Sequence, residues 1–239
     1  MSQVKGENQG MLRGEVLAVP KLSHHNHGVD YYLVPFRVPR LSGAEDVVNL
    51  VVSQPQAELW QPGNWLEVGG EVRSYNNRSG QGSRLVITML VREVLQAHCR
   101  EGENHLLLAG ALCKPPVARR TPLGREICDL LLAVNRPYGR ADYLPCIAWG
   151  SVANRCAQME VGDRLRLEGR LQSRQYHKMV EGERQTRTAY EISIMNLLPQ
   201  SEEESYTWGH SCRALERMAR RSPKVSGFFK GSRSRAAGW

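Results

Sequence analysis

The sequence predicts an all-β fold of two tandem five-stranded barrels, each with a short helix, followed by a flexible C-terminal tail. Three observations predict it. The chain has 239 residues, which is too long for one small barrel and suits two domains of about 100 residues each. Short apolar runs rich in Val, Leu and Ile are separated by Gly, Pro and Asn turns. The sequence also repeats itself with a period near 99 residues.

The apolar runs define the predicted elements in chain order. In the first half we expect strands at 31–38, 47–52, 65–73 and 85–94, with a short helix at 54–60. In the second half we expect strands at 105–112, 126–134, 143–149, 164–171 and 189–197, with a short helix at 152–159. Each predicted helix therefore lies between two strands of its own half.

The repeat is clearest where QPGNWLEVGGEVRSYN at 61–76 aligns with EVGDRLRLEGRLQSRQ at 160–175. Gly63 aligns with Gly162, and Ser74 aligns with Ser173. Five short strands with one helix between the third and the fourth are the plan of an OB-fold, a partly open Greek-key barrel. The predicted organisation is an N-terminal arm at 1–10, a first OB-fold at 11–99, a second OB-fold at 104–200 and a basic tail at 201–239.

Charge and composition narrow the function classes. The net charge is +8, and it is distributed as 0 over residues 1–99, +4 over 100–200 and +4 over 201–239. A positive second half suits a polyanionic partner. No apolar run is long enough to cross a membrane and the N-terminus lacks an apolar signal core, so we expect a cytoplasmic protein with reduced thiols.

Catalysis and metal binding are not expected. The sequence contains no phosphate-binding glycine loop, GxSxG or HExxH motif, so we predict no enzyme and no cofactor. HHNH at 24–27 has no cysteine or carboxylate near it, which makes a poor tetrahedral metal site. We interpret it as a solvated loop.

The second repeat resembles a known family. HLLLAGAL, TPLGREICDLLLAVNRPYGRADYLPCIAWG and GDRLRLEGRLQSRQY occur in this order over residues 104–198, and they are similar to the bacterial single-stranded DNA-binding proteins. The first repeat resembles the family only weakly, because it lacks the TPxG turn and has Ser53 where Gly150 would correspond. The resemblance implies binding and protection of single-stranded DNA in replication, recombination or repair, with replication and repair proteins as possible partners. It also implies a homodimer that brings four barrels together.

Aromatic and basic side chains of the second repeat form the candidate DNA-binding site. Unspecific binding of single strands needs flat faces for the bases and positive charge for the phosphates. The resemblance places Tyr138, Tyr143, Trp149 and Tyr176 on or near the DNA-binding face. The candidate basic residues are Lys114, Arg119, Arg120, Arg125, Arg136, Arg140, Arg170, Arg174 and Lys178.

Two other functions stay open at this stage. One is an OB-fold scaffold for protein partners, of the primosome type, and the other is binding of single-stranded RNA by the same face. Within the DNA-binding hypothesis the second barrel is expected to do most of the binding. The first barrel, net neutral and poor in motifs, is expected to complete the assembly.

Overall fold

The computed structural model describes residues 7–77, 83–180 and 183–199. The first repeat contains β1 (Asn8–Val16), β2 (Lys21–Asn26), β3 (Val29–Pro39), β4 (Glu45–Ser53), β5 (Trp65–Asn76) and β6 (Leu85–Gln96). The second contains β7 (Glu103–Leu112), β8 (Val117–Arg120), β9 (Glu126–Arg136), β10 (Arg140–Trp149), α1 (Gly150–Cys156), β11 (Arg164–Val180) and β12 (Glu183–Leu198). The predicted tail at 201–239 lies outside the described residues.

Both repeats follow one strand order, which confirms the predicted OB-folds. In the first barrel β1 pairs with β3, β3 with β4, β4 with β6, β6 with β5, and β5 with β1. In the second barrel β7, β9, β10, β12 and β11 are paired in the same circular order. The pairings β4–β6 and β10–β12 are parallel and the others are antiparallel. β2 and β8 each add one further strand outside the circle.

Each barrel closes where its first strand approaches the second strand of the circle. A Cβ placed on Gly14 would lie 2.1 Å from the carbonyl oxygen of Arg37, and one on Gly110 would lie 2.5 Å from that of Ala133. Real Cβ atoms do not come this close to an oxygen, so only glycine fits at these two positions. The same requirement in both repeats explains why each keeps a glycine here.

The interior is aliphatic and follows the alternation expected of half-buried strands. Val48, Leu50 and Val52 face inward from β4, and Leu144, Cys146 and Ala148 face inward from β10. In the part of the chain that the structure describes, no helix is long and apolar enough to cross a membrane.

The helix predicted at 54–60 is wrong. These residues form only turns, in which the N–H groups of Leu59 and Trp60 donate to the carbonyl of Gln56. The link from β4 to β5 is three residues shorter than the link from β10 to β11. The buried Trp60 packs into the core from this link, whereas the second barrel uses Ala153 and Cys156 of α1.

The predicted alignment of Ser53 with Gly150 is also shifted by one residue. Leu50 pairs with β6 as Cys146 pairs with β12, so Ser53 corresponds to Trp149 and Gln54 to Gly150. Gln54 has φ 47° and Gly150 has φ 55°, which shows that the two repeats keep the same backbone turn here. The residue with positive φ in this turn is a glycine in the second barrel and a glutamine in the first.

The largest departures from the prediction are at β1, β11 and β12, because the other predicted strands differ by at most three residues at either end. β1 begins at Asn8, inside the segment predicted as an arm, because residues Asn8–Arg13 pair with Glu103–Leu108 of β7. β11 and β12 extend as one long hairpin well beyond the apolar runs at 164–171 and 189–197. Their outer halves are polar, so no apolar alternation marked them in the sequence.

The β1–β7 pairing joins the two barrels into one continuous sheet of twelve strands. Two buried carboxylates reinforce this junction in matching positions. Asp46 accepts a 2.7 Å hydrogen bond from the backbone N–H of Ser173, and Asp142 accepts a 2.5 Å bond from that of Ser74. Each carboxylate therefore binds a backbone donor of the other barrel. Both also pair with an arginine of their own barrel, Arg40 or Arg136.

Replacing Asp142 with asparagine should lower the free energy of unfolding by about 3 kcal/mol, because removing one partner of a buried ion pair leaves the other uncompensated. Arg73 of the first barrel also lies 3.1 Å from this carboxylate, so the change affects both barrels. Urea unfolding would measure it. The matched control is Asp30→Asn, whose exposed pair with His25 should change stability by less than about 0.5 kcal/mol. Equal stability of the two variants would contradict the assigned role of Asp142.

Candidate nucleic-acid interface

The outer face of β9 and β10 forms the centre of the candidate site. Because Leu144, Cys146 and Ala148 point into the barrel, the alternate residues of β10 point outward. Tyr143 lies opposite Ala133, and Trp149 lies opposite Ile127. The two aromatic residues are about 20 Å apart, at about 3.3 Å per strand residue. Between them Leu131 faces Pro145 and Asp129 faces Ile147 across the two strands, so the strip between the two rings is apolar apart from Asp129.

The two aromatic rings differ in their exposure. Burial raises the pKa of the Tyr143 hydroxyl, so the phenol stays neutral at physiological pH. Trp149 is 39% exposed at the end of β10. An exposed indole at a strand end can stack on an unpaired base without first leaving the core.

Tyr138 lies at the tip of the turn between β9 and β10. Its side chain is fully exposed, and its φ of 64° puts the backbone in the left-handed region. Arg140 follows at the start of β10, exposed and, among the described residues, without an acidic partner. An exposed ring next to an unpaired guanidinium is the combination that binds a base and its phosphate.

The long β11–β12 hairpin provides the fourth aromatic residue. Tyr176 is half-buried, and the guanidinium carbon of Arg174 lies 5.9 Å from the centre of its ring, in cation–π range. Lys178 belongs to β11 but lies outside the residues whose side chains the structure describes. Arg170 lies nearer the barrel and is half-buried.

Three of the candidate arginines, Arg119, Arg120 and Arg136, form ion pairs with carboxylates. Arg119 pairs with the buried Asp129, and Arg120 lies 3.0 Å from Glu126. Hydrogen bonds from Asn154 and Arg120 lower the pKa of Glu126, which keeps this carboxylate ionised. Arg119 and Arg120 are still more than half exposed, so their outer N–H groups can reach a phosphate.

Arg136 belongs to the junction between the barrels and not to the open face. It pairs with Asp142 and donates a 3.0 Å hydrogen bond to the carbonyl of Ser74 in the first barrel. The expectation that it contacts phosphates is therefore not supported by its geometry. Arg125 and Lys114 fit that expectation better, because they lie in the turns next to β8, where Arg125 is exposed and Lys114 half-buried.

Sequence reasoning missed two features of the molecule. HHNH at 24–27 is not a loop, because residues up to Asn26 belong to β2 and only His27 lies in the turn. Asn154 of α1 donates a 2.7 Å hydrogen bond to Glu126 beside a shallow cleft between α1 and the β8–β9 hairpin. β2 is exposed throughout and so has no alternation of apolar residues, and a single side-chain hydrogen bond leaves no pattern in a sequence.

Comparison with known proteins agrees with this geometry. The model of the single-strand binding protein family matches residues 103–198, which span β7 to β12. The second barrel belongs to the single-strand binding protein family. The matched segment contains the aromatic outer face, the exposed turn and the long hairpin of this single-strand binding domain.

Individual relatives cover the same segment. Single-stranded DNA-binding protein 3 of Listeria innocua is 35% identical over 80 residues, which is 30% of this chain and 50% of that protein. Single-stranded DNA-binding protein A of Bacillus subtilis is 34% identical over 88 residues, or 34% of this chain and 51% of that protein. The chain spans about half the length of the curated relatives it matches.

A solved structure extends the likeness in fold to both barrels. The single-stranded DNA binding protein from Thermus aquaticus superposes with a TM-score of 0.65 at 22% identity. The match covers 83% of this chain and 95% of that one. It therefore shows that the pair of barrels, and not only the single-strand binding domain, is a fold found in another protein.

Replacing Tyr138 with alanine should weaken binding of oligo-dT by about 5- to 150-fold, since one stacked base is worth about 1–3 kcal/mol. Stability should not change, because the side chain is fully exposed. Fluorescence anisotropy would measure the affinity and urea unfolding the stability. Leu41→Ala is the matched control, an equally exposed side chain in the corresponding turn of the first barrel. If both variants bind like the unmodified protein, Tyr138 is not part of the site.

Proposed function

We propose that this protein binds and protects single-stranded DNA, without sequence preference, during replication, recombination or repair. The observation that carries the proposal is the outer face of β9 and β10, where Tyr143 and Trp149 flank a mostly apolar strip inside a single-strand binding domain. Such a face stacks on any base, because every base has a π-face. The second barrel is proposed to do most of the binding.

The exposed arginines supply the second half of the mechanism. Arg125 lies in the turn just before β9, Arg140 begins β10 just after the turn that follows β9, and Arg174 lies on the long hairpin. Phosphates held at these points would keep a strand stretched across the outer face, with its bases turned toward Tyr143 and Trp149. Each phosphate contact releases counterions, so the binding should weaken as salt increases.

Cellular location and partners are also part of the proposal. Five cysteines lie in the described residues and all five are free thiols, which suits the reducing cytoplasm. Replication and repair proteins are the partner class that fits a single-strand binding activity. The neutral first barrel is proposed to complete the assembly.

Titration with oligo-dT tests the proposed function. We expect quenching of tryptophan fluorescence, and the affinity should fall with salt at a log–log slope of about −0.7 per phosphate contact. Trp149→Phe should remove most of the quenching and keep most of the affinity, which assigns the signal to this residue. Absence of salt-sensitive binding would contradict the proposal, and stronger binding of oligo-U than of oligo-dT would favour RNA as the ligand.

A homodimer is the assembly we propose, since it brings four barrels together. Leu95 and Met195 are at least half exposed on β6 and β12 and offer apolar surface to a second copy. Light scattering at micromolar concentration should therefore give twice the 26.9 kDa mass of one chain. A monomer mass under these conditions would contradict the dimer.

A further inference from the structure

The β2–β3 hairpin of the first barrel carries a stacked aromatic pair. His24 lies directly opposite Tyr31, and their rings are 4.9 Å apart between centroids with only 7° between their planes. The hairpin turns at His27 and Gly28, which both have positive φ, the geometry of a tight two-residue turn. The stack is therefore held by strand pairing on a regular hairpin.

This pair occupies a place that belongs to the binding face in the second barrel. Tyr31 lies opposite Ser53 at the end of β4, as Ile127 lies opposite Trp149 at the end of β10. On the opposite edge of β3, Tyr31 pairs with His24 of β2, just as Ile127 of β9 pairs with Arg119 of β8. The first barrel thus has no aromatic residue at the Trp149 position, but it has one on the neighbouring strand.

The surroundings of the pair are open and carry little negative charge. β2 is the edge strand and pairs only with β3 in the described structure. The titratable and charged groups of these two strands are Lys21, His24, His25, Asp30, Tyr31, Tyr32 and Arg37. Asp30 is paired with His25 at 2.9 Å, one position along from the stack and on the opposite side of the hairpin. Lys21 is exposed at the start of β2.

Protonation would strengthen a base-binding site of this kind. Histidine is the side chain whose charge ordinarily changes between pH 5 and 8. A protonated imidazole over Tyr31 gains a cation–π interaction and attracts a neighbouring phosphate, while its ring still offers a face to a base. The first barrel has no net charge to contribute otherwise.

We propose that His24 and Tyr31 form a second base-stacking site, on the first barrel, whose affinity for single-stranded DNA increases when His24 is protonated. The inference rests on the proposed function, because the same strand must first be bound by the second barrel. A strand long enough to reach both barrels would then use the His24–Tyr31 site, and a short strand would not.

Affinities of the full chain for a short and a long oligo-dT, about 8 and about 30 nucleotides, test the inference. Each is measured at about pH 8 and about pH 5.5 at constant salt, which spans the range in which histidine changes charge. Tyr31→Ala should weaken binding of the long oligomer about fivefold or more and leave the short one unchanged. His24→Phe keeps a stacking ring without a charge, so it should bind like the unmodified protein at the higher pH and lose the gain at the lower pH.

The controls separate this site from other titrating groups. His25→Phe changes an adjacent exposed histidine on the other side of the hairpin and should keep the full gain at low pH. His177 is on β11 of the second barrel, so any effect of its protonation appears with the short oligomer too. The exposed position of His24 makes its variant informative even if Tyr31→Ala fails to fold.

The outcomes distinguish the inference from the proposed function. If the short oligomer binds but neither variant changes the binding of the long one, the second site is wrong and the proposed function stands. A low-pH gain that persists in His24→Phe also overturns the role of His24. If the unmodified protein binds neither oligomer, the proposed function fails, and the inference fails with it.

Discussion

The edge shared by β1 and β7 is the constraint on which the rest of the structure depends. One edge of the first strand of each barrel both pairs with the other barrel and closes its own barrel. In β1, Asn8–Arg13 pairs with β7, whereas Glu15 and Val16 pair with β3 to close the barrel. The change of partner falls at Gly14, where β3 comes too close for any side chain. Gly110 marks the corresponding place in β7.

The two buried aspartates make this junction specific. A buried ion pair adds little net stability, because the loss of hydration offsets the Coulomb attraction. In another docking register each carboxylate would keep the arginine of its own barrel but lose a buried hydrogen bond, which costs about 1–3 kcal/mol for each unsatisfied group, so that register would be disfavoured. Asp46 and Asp142 find their backbone donors at Ser173 and Ser74 only when the barrels meet as they do here. Ser74 and Ser173 align in the sequence repeat, and the structure explains why: each donates its backbone N–H to the buried aspartate of the other barrel.

The junction also connects the first barrel to the candidate binding face of the second. The Ser74 hydroxyl accepts a 2.7 Å hydrogen bond from the backbone N–H of Tyr143, the residue that begins the aromatic strip. Its counterpart Ser173 accepts a 3.2 Å bond from the N–H of Val47, which stands at the Tyr143 position of the first barrel. The first barrel therefore fixes the backbone at one end of the strip even where it does not touch the ligand.

Much of the fold could be predicted because the core strands alternate in polarity and the repeat fixes their order. The polar elements could not. β2, β8 and the outer part of the β11–β12 hairpin bury little apolar surface, so hydrogen bonding to a neighbouring strand defines them and leaves no pattern in the sequence. The helix predicted at 54–60 is absent from a link that is three residues shorter than the one containing α1. Arg136 was assigned to the site because it and Arg140 flank Tyr138, and its pairing with Asp142 in the junction was not foreseeable from that spacing.

The β1–β7 junction also determines how much the proposed His24–Tyr31 site can add to the affinity for a long strand. Two sites joined by a continuous sheet hold one strand at a high effective concentration, so even a modest contact on the first barrel multiplies the affinity of the second. The first barrel's arginines are largely held by carboxylates, since Arg37 pairs with Glu15 and Glu45, and Arg13 pairs with Glu67 and, across the junction, with Glu103 of β7. Little fixed charge remains there for phosphates, and an aromatic pair with a titratable member is what this surface can still offer. The neutral charge of the first barrel thus argues against phosphate binding as its main mode and leaves stacking as the contact that its structure can supply.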